Sequence, residues 1–270
     1  MSNVDTISTR LDPQAMTGRQ RAARILLATI LGLETVWITF VLVDQIRVNG
    51  EFGLDYRWHL DAARRLLETG TPYWPWQLTG PFTIANGAIL YPPIAFLLFI
   101  PFLWLPPVLW WAAPMAILAV GLAIHRPPLW AWAVIGAIFS YEKTLNVYVF
   151  GNPSMWVAAA IAAGTVLWWP FALVMVKPTF APIALIGIRR RSWWIAGVVL
   201  GLASLPFGRA WLDWLAVVRN SDINLAYNLP TLPLMLVPLV AWLTGIRRPP
   251  TWRVRKPAAE RDPVPTQIVR

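Results

Sequence analysis

Block hydrophobicity constrains this chain most: apolar runs long enough to cross a lipid bilayer recur along most of its length. About 20 helical residues span ~30 Å of hydrocarbon. That layer holds no water for the backbone to bond, so each run must satisfy its own N–H and C=O groups as helix. A β-barrel would show short alternating segments instead. Composition agrees: of 270 residues, 57% are hydrophobic and 13% charged, roughly half the charged share of a soluble domain. The predicted fold class is all-α, a polytopic membrane helix bundle.

The runs predict about 8 transmembrane helices within residues 25–246, at about 25–43, 89–105, 108–124, 129–140, twice between 147 and 188, 193–207 and 229–246. Prolines interrupt several of them, which membrane helices tolerate where neighbours satisfy the freed carbonyls. The 147–188 block is read as two passes with room for broken or re-entrant halves. External loops are expected at about 44–88 and 208–228, where acidic and basic residues mix. Residues 1–24 read as a basic cytoplasmic tail and 247–270 as a disordered basic tail able to touch anionic lipid. The net charge of +10 gathers at the two ends and in short runs such as Arg189–Arg191. That is the positive-inside pattern, not a nucleic-acid-binding one, and it puts both termini on the cytoplasmic side of a cell (inner) membrane. The count leaves His125–Arg126 outside, against the same rule. Zero cysteines remove disulfides and thiol chemistry, and two histidines leave little for a metal site, so neither metal nor cofactor is expected.

Within the first outer loop, residues 54–69 read as an amphipathic juxtamembrane helix. Leu54, Trp58, Ala62 and Leu66 form its apolar stripe, facing the membrane surface, and Gly70 stops it. Asp61 has Arg57, Arg64 and Arg65 at three- and four-residue spacings and reads as an ion-pair member. Asp55 has no arginine at such spacings, and its neighbour one turn on is His59. It is either the N-cap of the helix or a carboxylate free to accept a proton from a hydroxyl.

Lys177, before Pro178, lies deep in apolar sequence. Either it snorkels to an interface, or it lines a cavity and meets an anion such as a lipid phosphate. Glu34 in the first span poses a similar choice, with a hydrated or paired structural role ahead of a catalytic one. Gly151-Asn152-Pro153-Ser154 is a polar break, at a cavity or merely between passes. Glu142 and Lys143 read as solvated. In the second outer loop Trp211, Trp214, Leu215 and Val218 share one helical face, opposite Asp213, Arg219, Asp222, Asn224 and Asn228, as an interfacial anchor would.

Taken in order, these pieces resemble the glycosyltransferase 87 family of polyprenyl-phosphate-mannose-dependent mannosyltransferases, with the GT-C membrane fold. The matching residues are Asp55; Ala62, Ala63, Leu66, Leu67, Gly70 and Tyr73; Tyr91-Pro92-Pro93; Gly151 and Asn152; and Lys177-Pro178. The resemblance implies transfer of a sugar, mannose in that family, from a polyprenyl-phosphate donor to a lipid or glycan acceptor at the external membrane face. Asp55 would deprotonate the acceptor hydroxyl, which attacks the anomeric carbon with inversion. The phosphate leaves already charged, so cationic groups such as Lys177, Arg64 or Arg65 can stabilise it without a metal. His59, Tyr73, Tyr91 and Asn152 complete the expected substrate-binding set. Two departures, Asn152 and Ser154 where the family usually has glutamine and asparagine, and a chain shorter than typical members, suit the alternative. That alternative is a non-catalytic membrane component of envelope glycan biosynthesis, a flippase subunit or assembly factor.

Overall fold

The computed structural model describes residues 18–49, 52–84, 87–222 and 229–245. They are almost entirely helical, with no strand among the described residues. Helices α1 (Gly18–Asn49), α2 (Leu54–Thr69) and α3 (Pro75–Thr79) are followed by α4 (Phe96–Phe99), α5 (Val108–His125), α6 (Leu129–Ser140) and α7 (Glu142–Phe150). The remainder are α8 (Ser154–Leu167), α9 (Ala181–Ala184), α10 (Arg191–Ser204), α11 (Gly208–Asn220) and α12 (Leu232–Thr244). Three helical stretches are long and apolar enough to cross a membrane: Ile25–Asp44, Val108–His125 and Arg191–Asn220. The bent pair α7–α8, turning by 104° at residues 151–153, makes a fourth candidate, and shorter apolar helices surround these.

Helix ends gather at two poles. At one, the backbone N–H of Gly53 donates to Val149 O at 2.8 Å. There too, the indoles of Trp110 and Trp111 at the start of α5 donate to Gly151 O and Tyr148 O at 2.8 and 2.7 Å. At the other, the end of α5 meets the end of α8 through His125 and Thr165, 2.6 Å apart. Trp168 packs there against Trp242 of α12 and beneath the Arg190 guanidinium, 4.5 Å from its ring centre. His125–Arg126 therefore lies at the arginine pole, which removes the conflict that the count of passes creates.

Two apolar segments begin and end at a single pole. Residues 91–107 leave beside His59 and return at Trp110, in three short helical turns over residues 93–103. Residues 169–188 leave Trp168 as 3₁₀ turns, reach Lys177, and come back to Arg190, also against Trp168. Prolines at 170, 178 and 182 remove N–H donors and keep this path from settling into one α-helix.

Other sequence expectations shift. The first helix starts at Gly18, inside the stretch expected as tail; residues 1–17 and 246–270, which hold the rest of both tails, lie outside the described residues, as do Asn224 and Asn228. The helix entering the second outer loop does not stop at Gly208 but runs on through α11 to Asn220. The buried face of α2 is Tyr56, His59, Ala62, Ala63 and Leu66, covered by α4, residues 100–103 and α7. Of the stripe expected to face the membrane surface, Ala62 and Leu66 are buried against protein, and Leu54 and Trp58 are partly exposed. Gly70, at φ 79°, ends the helix by donating to Leu66 O.

Candidate functional site

Asp55 is not the N-cap of α2. Gly53, at φ 72°, holds that place without a side-chain bond, and Asp55 lies inside the first turn. Its carboxylate is half-buried and accepts a hydrogen bond at 2.6 Å on Oδ2 from Asn152 Nδ2. The break between α7 and α8 supplies that amide. Gly151, at φ 70°, lets the chain reverse in a space walled by Trp110, Trp111 and Tyr56, where a Cβ would come within 2.8 Å of the Trp111 ring. Asn152 N then donates to Val147 O at 2.8 Å, fixing the turn.

The orientation of the Asn152 amide follows from its neighbours. Its Oδ1 accepts from Ser154 N at 2.9 Å and Ser154 Oγ at 2.7 Å. A backbone N–H can only donate, so the oxygen faces Ser154 and the NH₂ faces Asp55. Lys177 Nζ in turn donates to Ser154 Oγ at 2.6 Å. Every donor in the series Lys177, Ser154, Asn152, Asp55 points the same way, from cation to carboxylate. Bonds aligned in this manner polarise one another.

Lys177 is 3% exposed, so its side chain does not snorkel out of the protein. The rings of Tyr91 and Phe180 flank its ammonium, with centroids at 5.7 and 5.5 Å. An ammonium removed from water needs such partners. Tyr91 also meets His59 edge-on at 5.0 Å, and His59 meets Phe99 at 4.7 Å. His59 Nδ1 bonds the backbone carbonyl of Asp55, an acceptor only, so the proton sits on Nδ1 while Nε2 is buried without a partner. Burial pushes the imidazole pKa down; the Asp55 charge and hydrogen bond push up, and the Lys177 charge pushes down. The net direction is down.

Five of the eight residues singled out from the sequence thus converge: Asp55, His59, Tyr91, Asn152 and Lys177. Tyr73 joins from behind. It is buried, and its hydroxyl donates to Tyr91 O at 2.7 Å. Arg64 and Arg65 are engaged elsewhere. Arg64 pairs with Asp61 at 3.0 Å on the exposed face of α2, and Arg65 donates to Pro72 O and covers the Trp74 ring at 3.5 Å. Glu34 packs against Gly136 of α6, and Glu142 and Lys143 form an exposed pair.

Ser154 was not in the expected set, although it stands two residues from Asn152 in the same polar break; that placement was the available signal. Phe99 and Phe180 carried none, because one aromatic in apolar sequence looks like another. Residues 208–220 contribute as well: α11 packs on α3, Trp214 Nε1 donates to Leu90 O at 3.0 Å, and Asn220 Nδ2 donates to Gln77 O at 3.1 Å. Between these elements lies an open cleft of about 490 Å³ lined by residues 78–81 and 219–222. Compared with known proteins, the chain matches no family model, no curated protein and no solved structure.

Proposed function

We propose that this chain is a membrane-embedded glycosyltransferase that moves a sugar, mannose by the resemblance to the glycosyltransferase 87 family, from a polyprenyl-phosphate donor to an acceptor hydroxyl. One observation carries the reading: a half-exposed carboxylate is joined to a buried ammonium through Asn152 and Ser154. Acid and cation so placed suit a reaction that releases a proton at one point and an anionic leaving group at another. The acceptor O–H gives its proton to Asp55 as its oxygen bonds to the anomeric carbon. The bond from that carbon to the phosphate oxygen breaks, and its electron pair leaves with the polyprenyl phosphate. Lys177 then balances the phosphate charge, which a fixed cation does best away from water. Asn152 holds one oxygen of Asp55, and the other carries no hydrogen bond to a described residue, leaving it available to the acceptor.

In this reading six segments cross the bilayer of the cell (inner) membrane: α1, α5, α6 with α7, α8, α10 and α12. Residues 91–107 and 169–188 are re-entrant, and both ends stay cytoplasmic with the arginine pole. The test is reconstitution of the purified chain with radiolabelled polyprenyl-phosphate-mannose and membrane acceptor. Asp55→Asn should lower transfer by about 10²–10⁴-fold, the usual worth of a general base, with yield and melting temperature near wild type. Transfer by the Asn variant at the wild-type rate would exclude Asp55 as base.

A further inference from the structure

Three consecutive carbonyls ahead of the Tyr91-Pro92-Pro93 corner are each held by a different side chain. Gln77 Nε2 donates to Ile89 O at 3.1 Å, Trp214 Nε1 to Leu90 O at 3.0 Å, and Tyr73 Oη to Tyr91 O at 2.7 Å. Two donors come from the first outer loop and one from the second, 124 residues away in sequence from its acceptor. Residues 88–90 carry no helical structure, so the carbonyls of Ile89 and Leu90 look to side chains for their partners.

We infer that Tyr73, Gln77 and Trp214 are positioning residues that set the Tyr91 ring between His59 and Lys177, so that the two outer loops jointly build the site. The donors suit the task. Gln77 is fully buried, and its other amide atom accepts from Trp74 N at 3.1 Å, so its orientation is determined. Tyr73 is 1% exposed, and burial followed by the Asp213 charge pushes its phenol pKa up, which keeps it a donor at any working pH. Trp214 can only donate. What they hold is the stretch of backbone that leads into a ring touching both His59 and Lys177. A ring shifted by about 1 Å alters how the ammonium is aimed at a leaving group, and misplacement on that scale costs rate more than affinity.

The inference rests on the transferase reading for its kinetic part only. Tyr73→Phe and Trp214→Phe each remove one donor with little loss of volume, and Trp194→Phe, which removes an indole bond to Ile188 O, is the control. Hydrogen exchange by mass spectrometry on the full-length protein should show the bonded amide next to the clamped stretch, Ala95 N–H on Pro92 O, exchanging faster in the first two variants and unchanged in the control. In the donor assay kcat should fall about tenfold at a donor KM within about twofold of wild type. Wild-type exchange in both variants overturns the clamp. Faster exchange with unchanged kcat overturns its service to the site. A wild-type protein that transfers no sugar counts against the transferase, while the exchange data still decide the clamp.

Discussion

At the scale of single residues, the chain from Lys177 to Asp55 works because each group has one direction open to it. Lys177 Nζ donates, the Asp55 carboxylate oxygen accepts, and Ser154 and Asn152 turn accordingly between them. Lys177→Met keeps a flexible stem of similar length and removes the charge. Transfer should fall by about 10²-fold, measured in the donor assay, while melting in detergent stays close to wild type, since a buried cation gives little net stability. His59 makes the site acid-sensitive. Its folded pKa lies below the ordinary value of 6.5, so above pH 6.5 both folded and unfolded chains hold it neutral. Below 6.5 the unfolded chain takes up the proton more readily, and stability is lost as pH falls. Melting temperature should therefore drop from pH 7 to pH 5, and His59→Gln should show a smaller drop. An equal drop in both proteins would assign the sensitivity to other groups.

Elements in this chain are broken often, and tryptophan repairs the breaks. Where helices end or turn, indole N–H groups of Trp37, Trp74, Trp110, Trp111, Trp193, Trp194 and Trp214 donate to carbonyls of Ser140, Gly87, Gly151, Tyr148, Ala184, Ile188 and Leu90. In lipid an unmet carbonyl costs several kcal/mol, so a chain with 25 prolines needs donors that are themselves largely apolar. The sharpest break is Gly151, where the backbone is left-handed and no room remains for a Cβ. Gly151→Ala should destabilise by about 1–3 kcal/mol, seen as earlier melting. Because Asn152 follows directly, transfer should fall further than the lost folded fraction explains.

For the molecule as a whole, the two poles are the organising fact. The site, α3, α11 and the start of α5 gather at one; Arg190, His125 and the ends of α8 and α12 gather at the other. The chain contains no cysteine, so single-cysteine labelling has no background. Glu68→Cys, on the exposed face of α2, should react with a membrane-impermeant maleimide in intact cells. Arg126→Cys and Arg189→Cys should react only after permeabilisation. Labelling of Arg126→Cys together with Glu68→Cys would mean that residues 91–107 cross the bilayer, and the re-entrant reading would go.

The sequence by itself determined the class of solvent and therefore the class of structure: long apolar runs in a waterless layer have to be helices, and Gly70 and Gly151 mark ends that only a left-handed residue can make. It singled out Lys177 as a charge in apolar sequence and Asp55 as a carboxylate with no arginine at helical spacing, while His59, Tyr91 and Asn152 came from the order of motifs. Hydropathy could not tell a helix that crosses from one that returns, since both need apolar sequence, and so 89–105 was read as a pass and 147–188 as two passes with room for re-entrant halves. Nor could it say whether Asp55 caps its helix, or whether Lys177 snorkels. Those outcomes depend on which groups arrive from elsewhere in the chain. Asn152 is 97 residues from Asp55, and Trp214 is 124 from Leu90. Partners at such separations leave no periodic trace in the local sequence, and only tertiary packing brings them within bonding distance.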